Sequence, residues 1–207
     1  APYVSGRMLS AYLCGGPNTC HETRDRKEAL EKLRSGMFVD ARDSSITKNV
    51  QEVYEGVKGV RFFDHLCLCT DDREADDILH VGHMNDVVRS AIRCGMDPVT
   101  AIKSATLNTA REIHLENLGA IAPGYVADLL LVDDLTELKP SHVFFGGKLV
   151  ARDGKLTVEI PHREYPLEKV NTMCVKELSR EDFVIHTPVE NGTVTVHVME
   201  YPDLNLS

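Results

Sequence analysis

The chain has 207 residues, 43% of them apolar and 27% charged, with 23 Lys and Arg against 32 Asp and Glu and a net charge of −9. That supplies enough apolar matter for a packed core, and the basic residues are scattered among acids, as in Arg24-Asp-Arg-Lys-Glu, which argues against the basic stripe of a nucleic-acid binder. No run of about 18 apolar residues is present to span a membrane, and six cysteines without the spacing of a disulfide framework point to a reduced, cytoplasmic chain.

The N-terminus, Ala1-Pro-Tyr-Val-Ser-Gly, lacks an initiator Met and a signal peptide, so the chain is expected to start in the middle of a longer protein. Ser5 is placed to cap a first helix with Met8, Leu9, Tyr12 and Leu13 at helical spacing and Gly15-Gly16 as its stop. A short strand then leads to Cys20-His21-Glu22. Thr23 or Asp25 caps a helix over 26–34 that ends at Gly36, and a strand over 37–41 runs into the loop Arg42-Asp-Ser-Ser. Ser44 or Ser45 is expected to cap a third helix over 47–57, and a strand over 60–69 ends at Cys69-Thr-Asp-Asp-Arg.

This alternation implies parallel strands with right-handed crossovers, in a doubly wound sheet or a (β/α)8 barrel of which three strands are only a part. Past residue 80 the pattern turns helical: one amphipathic helix over 80–93, a second over 97–104 with Pro98 in its first turn, a third over 108–114. Gly119 to Val132 reads as turn then strand, Gly146-Gly147 as a hairpin and Arg152-Asp-Gly as another turn. The expected organisation is an α/β part over 1–114, a small β-rich module over 115–160, and a polar, strand-biased segment over 161–207 in which 193–198 alternates with a period of two.

Acidic and imidazole side chains at the C-terminal mouths of buried strands are where α/β enzymes place metal ligands and proton carriers. His21 and Asp71 are therefore the candidate metal-binding and catalytic pair, since imidazole nitrogen suits zinc, iron and manganese and a strand-end carboxylate can take a proton from water. Glu22, Asp72 and Arg42 are candidates for holding a substrate, and His83 at the start of a helix can reach the mouth or merely cap that helix. Asp72 or Arg73 can instead brace the loop. Cys67 and Cys69 share a strand face, and with Cys20 and His21 they offer a mixed thiolate–imidazole zinc site, although the usual Cys-x2-Cys pair is missing. No glycine-rich phosphate loop and no serine nucleophile elbow occurs.

Ala105-Thr-Leu-Asn-Thr-Ala followed by Leu118-Gly-Ala-Ile-Ala-Pro-Gly-Tyr-Val-Ala-Asp-Leu resembles the segment with which many amidohydrolases leave their barrel for a small β domain. Within that superfamily, Ala1-Pro-Tyr-Val-Ser-Gly, Glu28-Ala-Leu-Glu-Lys-Leu-Arg-Ser-Gly-Met, Cys69-Thr-Asp-Asp-Arg and Gly82-His-Met-Asn-Asp-Val-Val-Arg-Ser-Ala-Ile resemble the bacterial adenine deaminases. The resemblance implies the last part of a (β/α)8 barrel, strands six to eight, then a small β module and the start of a C-terminal domain.

It also implies metal-dependent hydrolysis of adenine to hypoxanthine and ammonia in purine salvage. The divalent metal would be manganese or iron(II), with zinc open, and His21 and Asp71 would match the ligands after strands six and eight. The other ligands would lie upstream, so the chain alone is expected to be inactive without the missing N-terminal half of the barrel. The partner implied is a small purine, with neither nucleic acid nor membrane, and a homo-oligomer stays open. Two departures stand out: Asn18-Thr-Cys-His-Glu where Ser-Asp-His-Glu is common, and Arg42-Asp-Ser-Ser where Arg-Glu-Gly-Ser is common. The rival readings are a dihydroorotase, dihydropyrimidinase or deacetylase, and a truncated non-catalytic paralogue.

Overall fold

A computed structural model describes residues 1–186 and 191–198. It divides into two compact units, the first comprising Ala1–Val158 and the second beginning at Glu159.

The first unit opens with α1 (Gly6–Cys14), β1 (Thr19–Cys20), α2 (Arg26–Arg34), β2 (Phe38–Arg42), α3 (Val50–Val57) and β3 (Leu66–Cys69). The strands form a parallel sheet in chain order, β1-β2-β3, with Cys20 opposite Val39, Val39 opposite Leu66 and Arg42 opposite Cys69. Because successive strand residues point to opposite faces, Val39, Ala41, Leu66 and Leu68 all face one way. They join Ala29 of α2 and Val50, Val53 and Val57 of α3 in one buried cluster. The other face is polar, carrying Asp40 and Arg42 from β2 and Cys67 and Cys69 from β3. At its base Phe38 stacks on His65 with ring centroids 4.2 Å apart.

The helical stretch after β3 contains α4 (Ala75–His80), α5 (Met84–Arg93), α6 (Pro98–Ala105) and α7 (Leu107–Glu112). Val87, Val88 and Ala91 of α5 and Ala101 of α6 complete the same apolar cluster. α7 is tied to the start of β3 by Asn108, whose side-chain amide donates to the carbonyls of Phe63 at 2.6 Å and Leu66 at 2.8 Å. An antiparallel sheet comes next, β4 (Leu129–Val132), β5 (Pro140–Phe145), β6 (Lys148–Arg152) and β7 (Lys155–Leu156), paired in that order. Its β5–β6 turn has Gly146 and Gly147 at φ 55° and 78°, the two positive values that a two-residue hairpin of matching twist requires. The second unit shows a short helix, α8 (Leu167–Val170), and a 3-10 turn at Arg180–Phe183.

Four local expectations change. The helix expected over 47–57 starts at Val50, because Ser44 closes a turn, its hydroxyl accepting from the Thr47 amide at 2.7 Å, and Asp43 bridges Lys48. The strand expected over 60–69 is ladder-paired only from Leu66, once the chain leaves the Val60–His65 bends. The helix expected over 80–93 starts only at Met84, after a break at Gly82 with φ 137° that separates it from α4. The alternating residues 193–198 form no strand; residues 187–190 and 199–207 lie outside the described residues.

Candidate metal and substrate site

Each parallel strand delivers polar side chains to its C-terminal end. After β1 come His21 and Glu22, at the end of β2 Arg42, and after β3 Asp71. Arg42 joins them: its guanidinium lies 3.2 Å from Glu22 Oε1 and also bonds the Asp71 carboxylate. Two carboxylates from strands on either side thus converge on one cation, whose side chain is 8% exposed. Its Nε has no partner. Asp71 reaches this position from a backbone with φ 52°, a left-handed conformation that costs a non-glycine residue free energy unless its surroundings hold it.

His21 is half exposed, with Nε2 3.4 Å from Glu22 Oε1, so its imidazole remains open to a ligand from solvent. Asp72 is exposed, and its carbonyl accepts from the Ser45 amide at 2.9 Å. His83 is the N-cap residue of α5, is exposed, and makes no side-chain cap bond; its amide donates to Asn85 Oδ1 at 2.9 Å. The structure therefore brings Glu22, Arg42 and Asp71 together with His21 beside them. It gives no side-chain contact from Asp72 or His83 to that group.

The mouth is braced by Asn49, which the sequence pattern does not single out, and by Arg73, which it offers as a loop brace. Asn49 accepts from the Arg42 amide at 2.7 Å and donates to the carbonyls of His21 at 3.2 Å and Thr23 at 3.0 Å, stitching the ends of β1 and β2. Arg73, 3% exposed, bonds Asp86 at 2.7 Å and the Asp43 carbonyl at 3.1 Å. It braces the loop rather than facing a substrate, and Arg73 and Arg89 together hold the Asp86 carboxyl below its ordinary range against the opposing effect of burial. Under His21, Lys32 is fully buried and donates to Glu28 at 2.6 Å, Cys20 Sγ at 3.1 Å and the Ala1 carbonyl at 3.0 Å. The one sequence signal for that pair is the i,i+4 spacing of Glu28 and Lys32 on the side of α2 that also buries Ala29.

The thiolate–imidazole zinc set is not assembled. Cys20 is committed to Lys32, whereas Cys67 lies against Asp40 and Glu112. Burial and neighbouring carboxylates push the Cys67 thiol upward and the Cys69 thiol up to about 12, so neither is a thiolate without a bound cation.

Residues 12–150 match the model of the Amidohydrolase family. Similar proteins include an adenine deaminase of Kosmotoga olearia, 40% identical over 92% of this chain and 33% of that protein. Adenine deaminase 1 of Desulfotalea psychrophila is 39% identical over 95% and 34%, and adenine deaminase 1 of Carboxydothermus hydrogenoformans 39% over 100% and 35%. The chain spans about a third of the length of these curated relatives. Among solved structures, a β-aspartyl dipeptidase of Fervidobacterium islandicum AW-1 superposes with a TM-score of 0.54 at 21% identity, over 77% of this chain and 48% of the other. That likeness is one of fold. With a family match across two thirds of its length and adenine deaminase homologues across nearly all of it, the chain belongs to the amidohydrolase family.

Proposed function

We propose that this chain is the strand-six to strand-eight part of an adenine deaminase barrel, followed by the family's small β module and, from about residue 161, the start of a further domain. The observation behind this reading is the convergence of Glu22 and Asp71 on Arg42, beside His21, at the ends of three consecutive parallel strands. All helices of the apolar cluster pack on one sheet face, as in an arc of a barrel, and the polar face is then the interior.

His21 and Asp71 would hold the divalent metal, manganese or iron(II), with zinc also compatible. Their donor types fit, since imidazole nitrogen and a carboxylate suit a borderline ion, and Asp71 would take it up in exchange for its bond to the Arg42 guanidinium. When bound, such an ion lowers the pKa of water toward neutrality. The chain's own residues then bind and move protons. Asp71 accepts a proton from the water as its oxygen bonds to C6 of adenine, and delivers it to the amino nitrogen as that C–N bond breaks, releasing ammonia and hypoxanthine. Arg42 sets the position of Asp71 and Glu22. Glu22 contacts the purine ring, with Asp72 and His83 at the rim.

Two protein ligands fall short of the three or more that a catalytic metal site draws from protein. The reaction therefore belongs to the protein completed by the upstream strands, and this chain alone is inactive. Six free cysteines fit a reducing, cytoplasmic setting; no described helix is long and apolar enough to cross a membrane. The test is ammonia release from adenine, set beside dihydroorotate, a dihydropyrimidine and an N-acetyl amino sugar, by a protein that contains both this chain and the upstream strands. Adenine is expected to be the substrate, and Asp71→Asn to lower kcat by roughly 10²–10⁴-fold. Preference for another substrate, or near-normal turnover by Asp71→Asn, sinks the assignment.

A further inference from the structure

Below the mouth, on the same polar sheet face, a second group of donors meets. Asp40 and Cys67 are direct partners across β2 and β3, so their side chains emerge together, and α7 brings Glu112 to them. One ligand atom from each lies within 4.8 Å of the others. Asp40 is 8% exposed and Cys67 1% exposed. The Thr19 hydroxyl donates to Asp40 Oδ2 at 2.7 Å and also touches Glu112 Oε1, but it has one proton and satisfies one carboxylate at a time. Among the described residues no lysine, arginine or histidine pairs with either carboxylate.

A buried carboxylate, Asp40, beside a second, half-buried one, Glu112, without a counter-charge is a costly arrangement unless something positive joins them, while the Cys67 thiol between them is neutral as long as it keeps its proton. A shared proton would relieve the carboxylates alone. A divalent ion relieves both carboxylates and also engages the thiol, which loses its proton to solvent on binding and becomes a ligand. Two carboxylate oxygens and one sulfur suit a borderline ion of the zinc or iron(II) kind, and disfavour magnesium and calcium, which prefer oxygen alone. We propose that Asp40, Cys67 and Glu112 form a divalent-cation site separate from His21 and Asp71, which clamps α7 to the parallel sheet. This site does not depend on the reaction proposed above.

Cobalt(II) reports it directly, through the near-ultraviolet thiolate-to-metal band that a sulfur ligand produces. The metal-stripped full chain titrated with cobalt(II) is expected to develop that band and to melt at higher temperature when zinc is added. The band should vanish in Cys67→Ser and weaken in Asp40→Asn. It should persist in Cys69→Ser, which removes the other thiol of this strand face, and in the His21→Ala, Asp71→Asn double variant, which removes the mouth ligands. No band and no zinc-induced shift in the unsubstituted chain overturns the site in favour of a shared proton. A band that survives Cys67→Ser, or disappears with Cys69→Ser, overturns the ligand assignment. Loss of adenine turnover in a longer protein with the cobalt band intact would count against the catalytic reading alone.

Discussion

At Arg42 a single guanidinium replaces what would otherwise be a repulsive meeting of Glu22 and Asp71. Two residues back on the same strand, Asp40 has no such cation, and burial, reinforced by Glu112, raises its pKa from the ordinary 3.8 to about 7. The sign of the consequence is fixed by linkage. A carboxyl with a raised native pKa holds its proton in the folded chain where the unfolded chain has released it. Folding stability from this group is therefore full below about pH 4 and declines as pH rises toward about 7. In metal-free protein, Asp40→Asn is expected to flatten that part of the stability–pH curve and to be more stable than the unsubstituted chain near pH 8. Urea denaturation across pH checks it; an unchanged slope would show that Asp40 is ionised in the fold. His21, Glu22, Arg42 and Asp71 are legible in the sequence because each ends or follows a strand of recognisable pattern. Asp40 and Glu112 are not, because they meet across separate elements and no local spacing announces them, whereas Lys32 shows only its i,i+4 spacing to Glu28 and nothing of its contact with Cys20.

Elements bounded by strong local signals come out where the sequence puts them. Asp25 caps α2 by accepting from the Glu28 amide, and Asp97 caps α6 through the Thr100 amide. The misplaced boundaries lie where a side chain or a glycine captures the backbone: Ser44 before α3, and Gly82 between α4 and α5. Tertiary fit decides more than propensity between α2 and α3. A Cβ on Gly56 would stand 2.3 Å from the Arg26 carbonyl oxygen, which belongs to backbone and cannot swing aside. Gly56→Ala should therefore lose stability by about 1–3 kcal/mol through forced separation of the two helices, despite alanine's better helix propensity. Urea midpoints measure the sign directly. A gain in stability would mean that the helices part without cost.

For the molecule as a whole, the question is how much of the chain the apolar core needs. Every buried member of the main cluster lies between Ala29 and Leu138, and a smaller cluster of Leu9, Cys20 and Met37 secures the N-terminal end. The segment from Glu159 to His186 contributes no buried side chain among its described residues. The expected expression of this division is that a chain ending at Val158 keeps the thermal midpoint and the cobalt band of the longer one, because neither the core nor the Asp40–Cys67–Glu112 group draws on residues past that point. A large drop in midpoint would show that the second unit supports the first by contacts that burial alone does not register. The sheet poses the opposite demand. Among the described residues β1 and β3 each have one paired side, and Asp40, Arg42 and Cys67 share the polar face of the sheet. Open parallel edges invite another strand, so removing residues beyond Val158 should cost this chain little, whereas supplying the upstream barrel strands of the proposed adenine deaminase should raise its thermal midpoint and complete the mouth around His21 and Asp71.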